Sequence, residues 1–88
     1  MVRKTLKIKN RAGIHARPAS LIVQTANKFA SELTMEKGAL HVNAKSIMGI
    51  IMMAASYNTE VVLCANGPDE EEAAAAIEQL FESKFEEE

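Results

Sequence analysis

Apolar residues along this chain switch repeatedly between alternation and helical spacing within 88 residues. The order of those switches leaves few folds open. Val2, Leu6 and Ile8 share one side of residues 2–8, broken by Lys4, with Arg3, Thr5 and Lys7 on the other. That is the pattern of a half-buried strand. Asn10 to Gly13 reads as a loop. From Ala16 to about Lys28 the residues Ala19, Ile22, Val23, Ala26 and then Phe29–Ala30 recur at three- and four-residue steps, which predicts an amphipathic helix. Leu33 and Met35 alternate with Glu32, Thr34 and Glu36, and Leu40 and Val42 alternate with His41 and Asn43, across a Lys37-Gly38 turn signal. These two runs predict a β-hairpin, with His41 facing outward.

Ser46 is a good N-cap and opens a short helix over Ile47 to Ala55 that is apolar almost all round. One side of such a helix can be buried on a small domain, so Ile50 and Met53 are expected in the core. Ile47, Met48 and Ile51 are expected to remain in part exposed, as a surface for partners. Tyr57 to Thr59 form a loop. Glu60 to Ala65 form a near-continuous apolar strand, central in the sheet and covered on much of both faces, with Cys64 as a small buried hydrophobe. After Asn66-Gly67-Pro68, Asp69 and Glu72 have the spacing of a capping box. Ala73, Ile77, Leu80, Phe81 and Phe85 then make one helical stripe, before a frayed tail of Glu86, Glu87 and Glu88. The order βαββαβα predicts an α+β fold, an antiparallel or mixed sheet with helices packed on one face. The length allows one domain, residues 1–88.

The stretch Ala12 to Ser20 carries the chemistry. Gly13 allows a sharp turn, and Pro18 suits only the first turn of a helix. His15 is therefore expected at the cap of the first helix. There the leading amides, those of Ala16 and Arg17 among them, have no intrahelical partner and the macrodipole is positive. Such a place receives anions, and the Arg17 guanidinium adds a fork suited to phosphate oxygens. A neutral imidazole is available near pH 7.

Gly13-Ile14-His15-Ala16-Arg17-Pro18-Ala19 resembles the active-site signature of the HPr family, the histidine-containing phosphocarriers of the bacterial phosphotransferase system. Asn43-Ala44-Lys45-Ser46-Ile47-Met48-Gly49 is similar to the family's second site, and Val61…Ala65-x-Gly67-x-Asp69-x-x-x-Ala73 to its closing pattern. The resemblance covers nearly the whole chain. It implies an open-faced β-sandwich, a four-stranded antiparallel sheet with three helices on one face. It also implies that His15 takes a phosphoryl group on Nδ1 from phosphorylated enzyme I, with Arg17 assisting, and passes it to the IIA domains of sugar permeases. Ser46 becomes the target of an ATP-dependent HPr kinase/phosphorylase. In one branch of the family the phosphoserine form also binds a catabolite repressor. Ser20, Ile47, Met48 and Ile51 become the partner-binding surface. The alternative is a purely regulatory interaction protein that signals through phospho-Ser46 or phospho-His15 and moves no sugar. Ala54 stands where the family often has glycine, which bears on the end of the short helix.

Charge and composition exclude other classes. Residues 1–68 hold nine Lys and Arg against three Glu, and residues 69–88 hold nine acidic residues against one Lys. The acidic end argues against a nucleic-acid binder. His15 and His41 lie too far apart in sequence for a helical metal pair, and the single cysteine neither builds a metal site nor forms an internal disulfide. Neither a Walker loop nor a nucleotide fingerprint is present, so no cofactor is expected. His15 with Ser20 or Ser46 lacks a buried acid to orient it as in a hydrolase. No apolar run reaches the length of a membrane span, and the opening residues lack the apolar core of a signal peptide. The reading is a cytoplasmic, monomeric carrier rather than an enzyme.

Overall fold

The structure, a computed structural model, describes residues 1–86. Its elements are β1 (Val2–Lys7), α1 (Ala16–Ala26), β2 (Glu32–Lys37), β3 (Leu40–Asn43), α2 (Ile47–Met52), β4 (Glu60–Asn66) and α3 (Glu70–Glu82). A 3-10 turn, Lys84–Glu86, follows. The strands form one antiparallel sheet in the order β1-β4-β2-β3. The apolar run of β4 accordingly occupies a central position. Register follows the alternation: Leu6 pairs with Val61, Leu33 with Ala65, and Met35 with both Leu63 and Val42. These side chains share the inner face. They form one core with Ala19, Ile22 and Ala26 of α1, Ile50 of α2, and Ala73, Ala74, Ile77 and Phe81 of α3. The other face is open and carries Arg3, Thr5, Glu36 and His41, so the three helices cover one side of the sheet. Gly38, at φ 59°, closes the β2–β3 hairpin.

Several boundaries differ from the periodicity. Helix α1 stops at Ala26 rather than Lys28, because the Lys28 amide turns back to Thr25 O and that of Phe29 to Ala26 O. Helix α2 stops at Met52 rather than Ala55, because Ala54 adopts a left-handed conformation at φ 51°. Phe85 is not on α3. Lys84, Phe85 and Glu86 all have positive φ, and this turn folds Phe85 back to within 4.9 Å of the Phe81 ring centre. The stripe thus marks the burial of Phe85 but not its path. Glu87 and Glu88 of the expected tail lie outside the described residues.

Two side chains have roles unlike those the sequence suggests. The Asp69 carboxylate does not cap α3; it accepts from the Ala30 and Ser31 amides, both at 2.9 Å, and from the Ser31 hydroxyl. The first turn of α3 is instead tied back by Glu70, whose Oε1 accepts from the Gly67 amide at 3.1 Å. Cys64 is buried but polar in its contacts. It lies on the outer face, where Arg3 Nη1 donates to its sulfur at 3.1 Å and its thiol donates to Glu36 Oε2 at 3.4 Å. β4 is therefore covered by helices on one face and by these polar side chains on the other.

Candidate functional site

Two helix starts shape the candidate site. The loop ahead of α1 is built by Asn10, whose side-chain Nδ2 donates to Gly13 O at 2.8 Å and whose backbone carbonyl accepts from the Gly13 amide at 3.1 Å. Gly13 has φ 74°. A Cβ there would stand 2.9 Å from Ala55 O and 3.1 Å from Ser56 Cα, so the loop lies directly on the segment after α2. The Ile14 amide donates to that Ala55 carbonyl at 2.9 Å. Ile14 is buried, and the next residue, His15, emerges at the surface.

His15 is the N-cap of α1, with extended backbone (φ −108°, ψ −163°), and its carbonyl accepts from the Ala19 amide at 3.0 Å. Its side chain does not cap the helix. Ala16 and Arg17 are exposed, and Pro18, the third helical residue, is buried and has no N–H to contribute. The outward amides of this first turn are therefore those of Ala16 and Arg17, beside an exposed imidazole. Ser20, one turn on, is half-buried, and its hydroxyl accepts from Gln24 Nε2 at 3.2 Å.

Helix α2 packs against α1. Ser46 is its N-cap, and Ser46 Oγ accepts from the Gly49 amide at 3.2 Å. Ile50 and Met53 point into the core, while Ile47 is 41%, Met48 63% and Ile51 38% exposed. Sequence reasoning missed Met52, which is 67% exposed and completes the apolar surface; its i+4 spacing from Met48 is the signal that places it there. It also missed Tyr57, half exposed, with the Arg11 guanidinium 5.9 Å from its ring centre. Nothing local in the sequence links Arg11 to Tyr57.

Charges elsewhere do not compete with this site. Glu36 on the open sheet face is held below the usual carboxylate range, chiefly by the hydrogen bond from Arg3. Burial pushes the Cys64 thiol up, which keeps it protonated and a poor nucleophile at neutral pH. His41 lies on that face, 3.5 Å from Glu36 Oε2, away from the helix that carries His15. Among the described residues no group of His, Cys, Asp and Glu could hold a metal ion. Among them also, no helix is long and apolar enough to cross a membrane.

An exposed imidazole at a helix N-terminus can attack a phosphoryl donor and displace its leaving group, and the leading amides can steady the oxygens of the transferred group. A family model described as the PTS HPr component phosphorylation site matches residues 2–83. Phosphocarrier protein HPr of Treponema pallidum (strain Nichols) is 54% identical over 88 residues, the whole of both chains. The HPr-like protein Crh of Bacillus subtilis (strain 168) is 49% identical over 73 residues, 83% of this chain and 86% of that one. The crystal structure of an HPr from Thermoanaerobacter tengcongensis superposes with a TM-score of 0.96 at 55% identity, covering 100% of this chain and 99% of that chain. A crystal structure of an HPr dimer from the same organism gives 0.78 at 54% identity, covering 97% and 98%. Matched along its length in both sequence and fold, the chain belongs to the HPr family, the phosphocarriers of the phosphotransferase system.

Proposed function

We propose that His15 is the residue that carries the phosphoryl group, received from phosphorylated enzyme I and passed to the IIA domains of sugar permeases in the cytoplasm. One observation carries this reading: an exposed imidazole at the cap of α1, next to the outward amides of Ala16 and Arg17. In the transfer, the Nδ1–phosphorus bond forms as the bond to the donor breaks. The two amides and the Arg17 guanidinium offset the charge on the phosphoryl oxygens. The exposed side chains of Ile47, Met48 and Ile51, with Ser20 nearby, supply the apolar surface on which donor and acceptor dock in turn. A single copy of the chain suffices for this cycle, so we place the working form as a monomer, although a relative forms a dimer. Sedimentation at working concentration decides that point.

The test is incubation with enzyme I and phosphoenolpyruvate. Acid-labile phosphate is expected on the parent and absent from His15→Ala. No label on the parent would sink the reading.

A second reading concerns Ser46. Its hydroxyl is half-buried at the cap of α2, directly beside Ile47 and Met48. A phosphate added there by HPr kinase/phosphorylase suits the helix N-terminus. It also brings roughly −1.5 to −2 of charge against the docking surface. In that form the chain acts as a regulator toward a catabolite repressor. The likeness to Crh, whose solution structure is described as that of the Bacillus subtilis catabolite repression HPr, favours a regulatory role. Kinase and ATP are expected to leave acid-stable phosphate on the parent and none on Ser46→Ala.

A further inference from the structure

We infer that Lys37 is a positioning residue for His15, acting through the strained turn that ends α2. The inference rests on the reading of His15 as the phosphoryl acceptor. Lys37 is the last residue of β2, on the inner face of the sheet. Its ammonium donates to Met53 O at 3.1 Å and to Ala54 O at 3.2 Å. These two carbonyls flank the backbone of Ala54, which holds a left-handed conformation at φ 51° that a residue with a Cβ rarely adopts. A turn of this kind persists only when its surroundings over-determine it. The cation does so here, and it also meets the negative end of the α2 dipole.

What the turn holds is the His15 loop. Ala55, the next residue, accepts the Ile14 amide at 2.9 Å, and Gly13 rests on Ala55 and Ser56. Further along the same segment, Asn58 donates to Ile8 O at 2.7 Å and Thr59 O accepts from the Ile8 amide at 2.9 Å. The loop from Ile8 to Ile14 is therefore laid along residues 55–59, and Lys37 fixes where that segment begins. A change in the turn moves the cap of α1, and with it the imidazole relative to the Ala16 and Arg17 amides. The Lys37 ammonium bonds backbone carbonyls of the turn rather than the exposed side chains of Met48 and Ile51, so docking and positioning separate.

Lys37→Met keeps the aliphatic stem and removes the donors, and Lys37→Arg keeps both stem and donors. Amide exchange at Ile14, read by NMR against Leu63 in the central strand, reports the loop alone. Ile14 exchange is expected to quicken about tenfold in Lys37→Met with Leu63 unchanged, and to keep the parent rate in Lys37→Arg. In an Ala54→Gly background, where the turn is unstrained, the same loss of lysine is expected to change Ile14 exchange by less than about threefold. With enzyme I and phosphoenolpyruvate, Lys37→Met is expected to lower kcat about fivefold with KM for this protein held within about twofold, and Lys37→Arg to restore it. Unchanged Ile14 exchange, an unchanged kcat, or equal quickening at Ile14 and Leu63 would overturn the inference. A parent that takes no phosphate removes the reading of His15 instead, and the exchange data then decide by themselves whether Lys37 holds the loop.

Discussion

Asp69 takes three hydrogen bonds from the Ala30–Ser31 segment, and its own amide donates to Ser31 Oγ at 3.2 Å, so the start of β2 and the start of α3 are locked together. Gly67 makes that approach feasible. A Cβ at position 67 would meet Ser31 Cα at 2.6 Å, far inside contact distance. The bonds from the Ser31 hydroxyl first, then from the Ala30 amide, hold the Asp69 carboxyl below its ordinary range. A depressed carboxyl contributes stability that is complete above its unfolded pKa, near 4, and is lost as the pH falls through the lower folded value. Asp69→Asn is therefore expected to lower the thermal midpoint at pH 7 and to flatten its decline below about pH 4, the two curves converging in acid. Glu36 and Glu70 are depressed too, so a residual slope remains in the variant. Parallel curves from a midpoint-versus-pH series would show that the clamp does not titrate with folding. The spacing of Asp69 and Glu72 suggests a helix cap because local spacing is all that a periodic pattern can register. Ser31 lies 38 residues away in sequence and leaves no trace in that spacing.

Helix α2 separates into a buried side and an exposed apolar side, and that division was legible from which positions share a face. Its end was not. Ala54 turns left-handed because a lysine from β2 and an amide from the α1 loop both seize carbonyls there, and neither partner is near in sequence. The cap at Ser46 was legible, because a serine ahead of an apolar run is a favoured N-cap, and its Oγ accepts from the Gly49 amide. Cap and charge can be told apart at this residue. Ser46→Ala is expected to cost about 1 kcal/mol of stability and leave phosphoryl transfer to His15 unchanged. Ser46→Asp keeps an acceptor for the Gly49 amide, so its thermal midpoint should stay near the parent's. Its charge beside Met48 should slow the transfer. Met48→Glu, at a surface position, is expected to shift stability by under about 0.5 kcal/mol while slowing transfer from enzyme I. Rates equal to the parent's in both charged variants, measured in the same coupled assay, would place docking on another surface.

Seen across the whole molecule, the division of charge along the sequence becomes a division in space that is partly cancelled. β1, with its lysines, packs against the acidic α3, and Lys4 meets Glu78 and Lys9 meets Glu82, both at 2.7 Å. That pairing was not readable from the run of charges, because it depends on α3 packing along β1. These pairs are solvent-exposed and worth at most about 1 kcal/mol each, so salt should barely move the thermal midpoint. Arg11 and Arg17, four residues before and two after His15, are both exposed and add positive charge to that stretch. A positive patch steers an acidic partner and speeds encounter, and salt screens it over a Debye length of about 8 Å at physiological strength. Raising NaCl from about 0.05 to 0.5 M is therefore expected to slow association with phosphorylated enzyme I by about tenfold, with dissociation changed much less. Arg11→Gln is expected to make that dependence shallower without altering the parent's thermal midpoint by more than about 2–3 °C. Stopped-flow association rates across the salt series decide it. A rate indifferent to salt would mean that the apolar face of α2 finds its partners without electrostatic help, and the basic rim around His15 would then act on the phosphoryl group alone.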